Sequence, residues 1–226
     1  MKYYKLYSDR FETNLGVVSL EIECSNESDW DVSQENSMIT INTLNHIIEV
    51  FAFNDIKEWL SKTDNEVEQS KGWLIRMTKT SSNFEQLNLK CELISSDSNI
   101  ISSPDSGEWL DAVWMENSTH FLSIGTEDGE MLRERAVKND FMPNRFKKEL
   151  GFQSRKYSFT KYIERGFLTE IPTLKKHEQI YFHYLAATNP RKKSREYPNA
   201  DDISTNLAVD FAKRTLIDRL KLKDWK

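Results

Sequence analysis

Apolar residues recur at every second position in several stretches of this chain, and that alternation restricts the fold more than any other feature. Val18, Leu20, Ile22 and Cys24 alternate with Ser19, Glu21 and Glu23. Leu87, Leu89, Cys91 and Leu93 alternate with Asn88, Lys90 and Glu92. Successive side chains of a strand point to opposite faces, so a period of two gives one buried face and one wet face. Residues 38–43 read as a further strand. Trp73, Ile75 and Met77 lead into the polar turn Thr80-Ser81-Ser82-Asn83, which predicts a hairpin between residues 73–79 and 85–94. A second hairpin is expected to join 109–116 to 119–125 across Glu116-Asn117-Ser118. Residues 155–163 and 178–187 also read as strands. In the second, Ile180, Phe182 and Tyr184 alternate with Tyr181, His183 and Leu185, so both faces are apolar and the strand is expected to be central.

Helices are fewer. Asn54-Asp55 is an N-cap signal, with Ile56, Trp59 and Leu60 at helical spacing behind it. Periodicity does not decide whether His46–Phe53 begins that helix or forms a buried strand. Residues 130–139 are rich in helix formers, although Asp128-Gly129 also suits a hairpin turn. Pro143 opens a short helical stretch over 144–150, and Gly151 stops it. The clearest helical pattern starts at Asp201-Asp202 and places Ile203, Leu207, Phe211 and Leu216 on one face, running to about Leu220. The Ser-rich segment 95–107 reads as a loop. The expected class is therefore α+β: a mainly antiparallel sheet with a few helices and a C-terminal amphipathic helix packed on it. Residues 1–226 are expected to make one compact domain, with a soft internal boundary near 127–140.

The charges are unevenly spread. Residues 1–130 hold 9 Lys+Arg against 24 Asp+Glu, whereas residues 131–226 hold 22 against 12, and the sum is the overall −5. An acidic, strand-rich part is thus followed by a basic, mixed part. Such asymmetry points to charged partners or to two oppositely charged surfaces.

No motif names a reaction. The chain lacks a Gly-rich phosphate loop, a dinucleotide fingerprint and a Gly-x-Ser-x-Gly elbow. Cys24 and Cys91 fall in the apolar phase of strands and are expected to pack as small hydrophobes. Two cysteines make no disulfide framework, no apolar run approaches 18 residues, and Met1-Lys2-Tyr3-Tyr4-Lys5 carries no secretory h-region, so a reducing cytoplasm is the expected location. His177 and His183, six residues apart on an expected strand, would lie ~20 Å apart, too far to share a metal. His120 opens a strand and reads as structural. No metal and no cofactor are expected.

Three functional classes follow. The first is a non-enzymatic interaction protein of the bacterial immunity or inhibitor type. It would dock a basic partner, such as a toxin or nuclease, on an acidic face made of Asp29, Trp30, Asp31, Glu35, Asp64, Glu66 and Glu68. The second is a nucleic-acid-binding protein using Arg145, Lys147, Lys148, Arg155, Lys156, Arg191, Lys192, Lys193 and Arg195, which are interleaved with aromatic residues. The third is an enzyme whose site is assembled from distant residues. A competing account of the charge pattern is that the two parts of the chain simply face and neutralise each other.

Overall fold

The computed structural model describes residues 2–26, 29–54, 67–107 and 110–191. The helices expected after Asn54 and over 201–220 lie outside these residues, as do Asp64, Glu66, Lys192, Lys193 and Arg195. In chain order the strands are β1 (Tyr4–Thr13), β2 (Gly16–Cys24), β3 (Asp31–Glu35), β4 (Met38–Asn42), β5 (His46–Phe53), β6 (Gln69–Lys79), β7 (Leu87–Ile94), β8 (Ile101–Gly107), β9 (Leu110–Glu116), β10 (His120–Glu127), β11 (Thr160–Ile163), β12 (Gly166–Glu170) and β13 (Gln179–Pro190). The helix α1 (Gly129–Lys138) and a 3-10 turn at Asn144–Lys148 separate β10 from β11. The protein is thus mainly antiparallel β-sheet with one α-helix among the described residues.

The strands form two antiparallel sheets. One has five strands in the order β1-β2-β7-β12-β11, and the other has eight in the order β3-β4-β5-β6-β13-β10-β9-β8. One apolar core joins them, with Val18, Leu20, Ile22, Leu89 and Cys91 of the smaller sheet packed with Ile48, Val50, Trp73, Ile75, Met77 and Phe182 of the larger. Polar links cross the same interface. Trp73 Nε1 donates to Asp9 Oδ2 at 2.8 Å, and the hydroxyls of Thr169 and Tyr184 share a short hydrogen bond. The alternations around Val18–Cys24 and Leu87–Leu93 are therefore one face each of this core. β13 is central, with both faces buried, as its unbroken apolar run requires.

Three expectations change. β6 and β7 do not form a hairpin: β6 pairs with β5 and β13, and β7 pairs with β2 and β12. Trp73, Ile75 and Met77 enter the same core as Leu87, Leu89 and Cys91 but from the opposite sheet, and the connection after Lys79 carries the chain from one sheet to the other. The Ser-rich segment is not all loop, because Ile101–Gly107 is the edge strand β8. Pro104 is tolerated there because an edge strand need not donate on its open side. His177 stands before β13 with φ 69°, so it shares no strand with His183.

Other readings hold. The β9–β10 hairpin forms in register, and His46–Phe53 resolves as strand β5. Asp128 caps α1 by accepting from the Met131 N–H at 2.7 Å. That helix occupies the stretch suggested for a soft boundary, and its Leu132 and Ala136 belong to the shared core. Arg135 fastens it to the larger sheet. It is 5% exposed and donates to Glu127 Oε2 at 2.6 Å and to the Tyr181 carbonyl at 3.1 Å. Its guanidinium also lies 4.5 Å from the Tyr181 ring centre.

Candidate functional site

The acidic stretch around residue 31 forms the outer edge of the larger sheet. Asp31–Glu35 pairs with Asn42–Met38 through the two-residue connection Asn36-Ser37, and Asn36 takes φ 54° there. Asn is one of the few residues that adopt this left-handed conformation readily, which is why the turn forms at this point. All five residues of β3 are exposed. Exposure rises sharply across the last two strands: Ile48 on β5 and Ile41 on β4 are fully buried, whereas Val32, paired with Ile41, is 49% exposed. The core face of the sheet thus runs past its cover. Trp30, one residue before β3, is 39% exposed. Asp29, Asp31 and Glu35 form no ion pair among the described residues.

Most other acids are neutralised nearby. Asp9 pairs with Lys71 and Glu49 with Arg76, both at 2.6 Å, and Glu178 pairs with Arg145 at 2.8 Å. Most Lys and Arg pairs stay within the acidic part or within the basic part. Among the described residues Arg135–Glu127, Arg133–Glu130 and Arg191–Glu116 are the ones that cross between them. Among the described residues, therefore, most ion pairs do not join the two parts. Glu68 is not at the β3 edge: it precedes β6, three strands inward, and sits 3.8 Å from His120.

The basic residues divide likewise. Arg145 is engaged by Glu178 and by the Thr173 carbonyl, and Arg191 lies 3.7 Å from Glu116. Lys147, Lys148, Arg155 and Lys156 are exposed. Between them stands Phe152, 80% exposed, on a tightly tied loop. Gly151 N–H donates to the Tyr157 carbonyl and Tyr157 N–H to Ser154 Oγ, both at 2.8 Å, and the Phe152 ring rests 5.2 Å from that of Tyr157. Gly151 has φ 83°, and a Cβ there would lie 2.6 Å from Glu130 Oε1, so the loop demands glycine at this position.

Enzyme-like groupings are internal. His46 Nδ1 is 2.5 Å from Glu85 Oε2, and both side chains are almost wholly buried. Burial pushes His46 below its ordinary value. Burial pushes Glu85 up, but hydrogen bonds from His46 and Thr43 and the nearby charge of Lys79 outweigh it and hold the carboxyl low. A neutral imidazole donating to a carboxylate fits both directions. His183 lies 3.7 Å from Glu127 and 2.9 Å from the Tyr181 hydroxyl, also in the interior. Two clefts of about 540 and 600 Å³ flank Arg145, and neither buried pair lines them. The larger holds His177, Asp140 and Glu178, but Glu178 is engaged by Arg145 and the Lys175 N–H. Cys24 and Cys91 are buried, and burial raises both thiols. Among the described residues no cluster of three His, Cys, Asp or Glu is arranged for a metal, and no helix is long and apolar enough to cross a membrane.

Sequence reasoning singled out Asp29–Glu35 for charge but missed that they make a free edge. It also missed Val32 and the prominence of Phe152. A polar five-residue stretch carries too weak an alternation to announce a strand. Comparison with protein-family models, with curated proteins and with solved structures finds no match.

Proposed function

We propose that this chain is a non-enzymatic cytoplasmic interaction protein of the immunity or inhibitor type that docks a basic protein partner on its β3 edge. One observation carries the reading: an acidic strand exposed at every position leaves Val32 and the neighbouring Trp30 partly in water, with Asp29, Asp31 and Glu35 forming no ion pair among the described residues. Acidic groups at a rim raise the association rate and select cationic partners, and a central aromatic supplies affinity. The test is association with the basic protein that the chain captures from its source cell, measured against salt. Asp29→Lys with Asp31→Lys and Glu35→Lys should slow association at least ~10-fold and leave melting unchanged. Unchanged association would end this reading.

A second reading has its own support in Phe152. A rigid loop that holds an aromatic ring in water, flanked in the chain by Lys147, Lys148, Arg155 and Lys156, suits single-stranded nucleic acid, with a base on the ring and phosphates on the cations. It predicts that labelled oligothymidine binds at ~50 mM salt, and that Phe152→Ala weakens binding by the ~1–3 kcal/mol of one stacked base. Absence of binding at that salt would remove it.

A further inference from the structure

We propose that the basic partner docks by strand addition. An extended segment, in which Lys or Arg alternates with apolar residues, pairs with β3 and becomes the ninth strand of the larger sheet. This rests on the acidic-edge reading above and adds to it the mode of docking and the chemistry of the docked segment.

A sheet edge is a row of unpaired backbone groups, and proteins usually obstruct it. The other three edges here are obstructed. β8 holds Pro104, which has no N–H, at an outward position, and the β11–β12 hairpin lies against the strand: Ser102 Oγ donates to the Glu164 carbonyl at 2.8 Å, and Tyr162 Oη of β11 donates to the Asp105 carbonyl at 3.1 Å. β1 is irregular between Lys5 and Tyr7, and Lys71 Nζ occupies the Arg10 carbonyl at 3.0 Å. β11 has only four residues. β3 has none of these devices among the described residues, only its negative charges, and those repel an acidic strand and favour a cationic one.

The register says which groups are open. A two-residue connection makes Glu35 and Met38 a hydrogen-bonded pair, and bonded pairs alternate with non-bonded ones along an antiparallel ladder. Ser33 and Asp31 are therefore bonded to β4, and the N–H and C=O of Val32 and Gln34 point away from the sheet. The side chains sort the same way. Val32 and Gln34 share the core-side face with Ile41 and Ile39, while Asp31, Ser33 and Glu35 face the other side. An incoming strand therefore meets carboxylates on one face and Val32 on the other, which selects alternating cationic and apolar side chains.

The full chain is titrated by NMR at low salt with the peptide Lys-Val-Lys-Thr-Lys-Val-Lys and with a peptide of the same composition whose lysines are grouped at one end. The alternating peptide should bind the more tightly and slow amide exchange at Val32 and Gln34. Gln34→Pro removes one outward donor and leaves the β4 ladder intact. It should weaken binding at least ~5-fold, whereas Gln34→Ala should change it by less than ~2-fold. Unchanged exchange at Val32 and Gln34, together with loss of binding on Asp31→Lys with Glu35→Lys, would overturn strand addition and leave the acidic-edge reading standing. Peptide binding that survives that charge reversal would remove both. No binding of the alternating peptide at millimolar concentration would overturn strand addition. The exchange measurement is made on the wild-type chain, so it decides even if Gln34→Pro lowers the melting temperature.

Discussion

Removing the Arg135 guanidinium should be among the most damaging single changes in this fold. Arg135 donates to Glu127 Oε2 at 2.6 Å, to the Tyr181 and Phe141 carbonyls at 3.1 Å, and to the Asp140 carbonyl at 3.2 Å. Glu127 is 1% exposed. In Arg135→Met the apolar stem is kept, but the buried carboxylate loses the guanidinium and three carbonyls lose a donor. Breaking a buried pair from one side costs about 3–5 kcal/mol. For a chain of this size each kcal/mol lowers the melting temperature by about 2–4 °C, so the variant should melt about 6–20 °C lower. Thermal and urea unfolding followed by circular dichroism measure both quantities. Two further results identify the mechanism. Adding Glu127→Gln to Arg135→Met should recover about 1 kcal/mol or more, because the buried charge that Arg135 balanced is gone. The cost of Arg135→Met should also shrink as pH falls toward 5, because a buried carboxylate without Arg135 takes up a proton more readily in the folded chain than in the unfolded one. A loss below about 1 kcal/mol, or a double variant as unstable as the two single losses added, would refute the argument.

Folded His46 binds a proton less readily than an unfolded histidine, and folded Glu85 less readily than an unfolded glutamate. Acidification should therefore cost stability from about pH 6.5 downward through His46 and from about 4.5 downward through Glu85; His46→Phe should flatten the upper part of a melting-temperature profile taken from pH 5 to 7.5. Thr169→Val should cost about 1–3 kcal/mol in urea unfolding, because the Thr169 hydroxyl is the bonded partner of the buried Tyr184 hydroxyl and of Thr160 Oγ1 at 2.8 Å. Cys24 and Cys91 should resist thiol reagents in the native protein and react together on unfolding, because both are buried and burial raises their thiols; rapid native labelling of either would contradict that placement.

Strands with an apolar period of two on a buried face were legible. β2, β7 and the doubly buried β13 are examples, because burial dictates residue type at every position there. Partners were less legible. The turn after Lys79 announced a reversal, but which sheet β7 joins depends on β2 and β12, far apart in the chain, so two strands adjacent in sequence became opposite layers of the core. Edge strands were nearly invisible. β3 and the Ser-rich β8 lack a buried face rich enough to impose alternation, and loop-like composition is what an edge permits. The candidate site was legible as charge at Asp29, Asp31 and Glu35. Its geometry was not, because the exposure of Val32 and Trp30 depends on what the rest of the fold packs against the last strands, and no local pattern encodes that.

The most direct test of the account places a photo-crosslinking amino acid at Ser33 on β3 and, separately, at Pro104 on the covered edge β8, followed by illumination in the source cell. Position 33 should form an adduct with a basic protein, lost when Asp31→Lys and Glu35→Lys are added, and position 104 should form no such adduct. An adduct with that protein from position 104 alone, or an acidic protein captured at position 33, would contradict it.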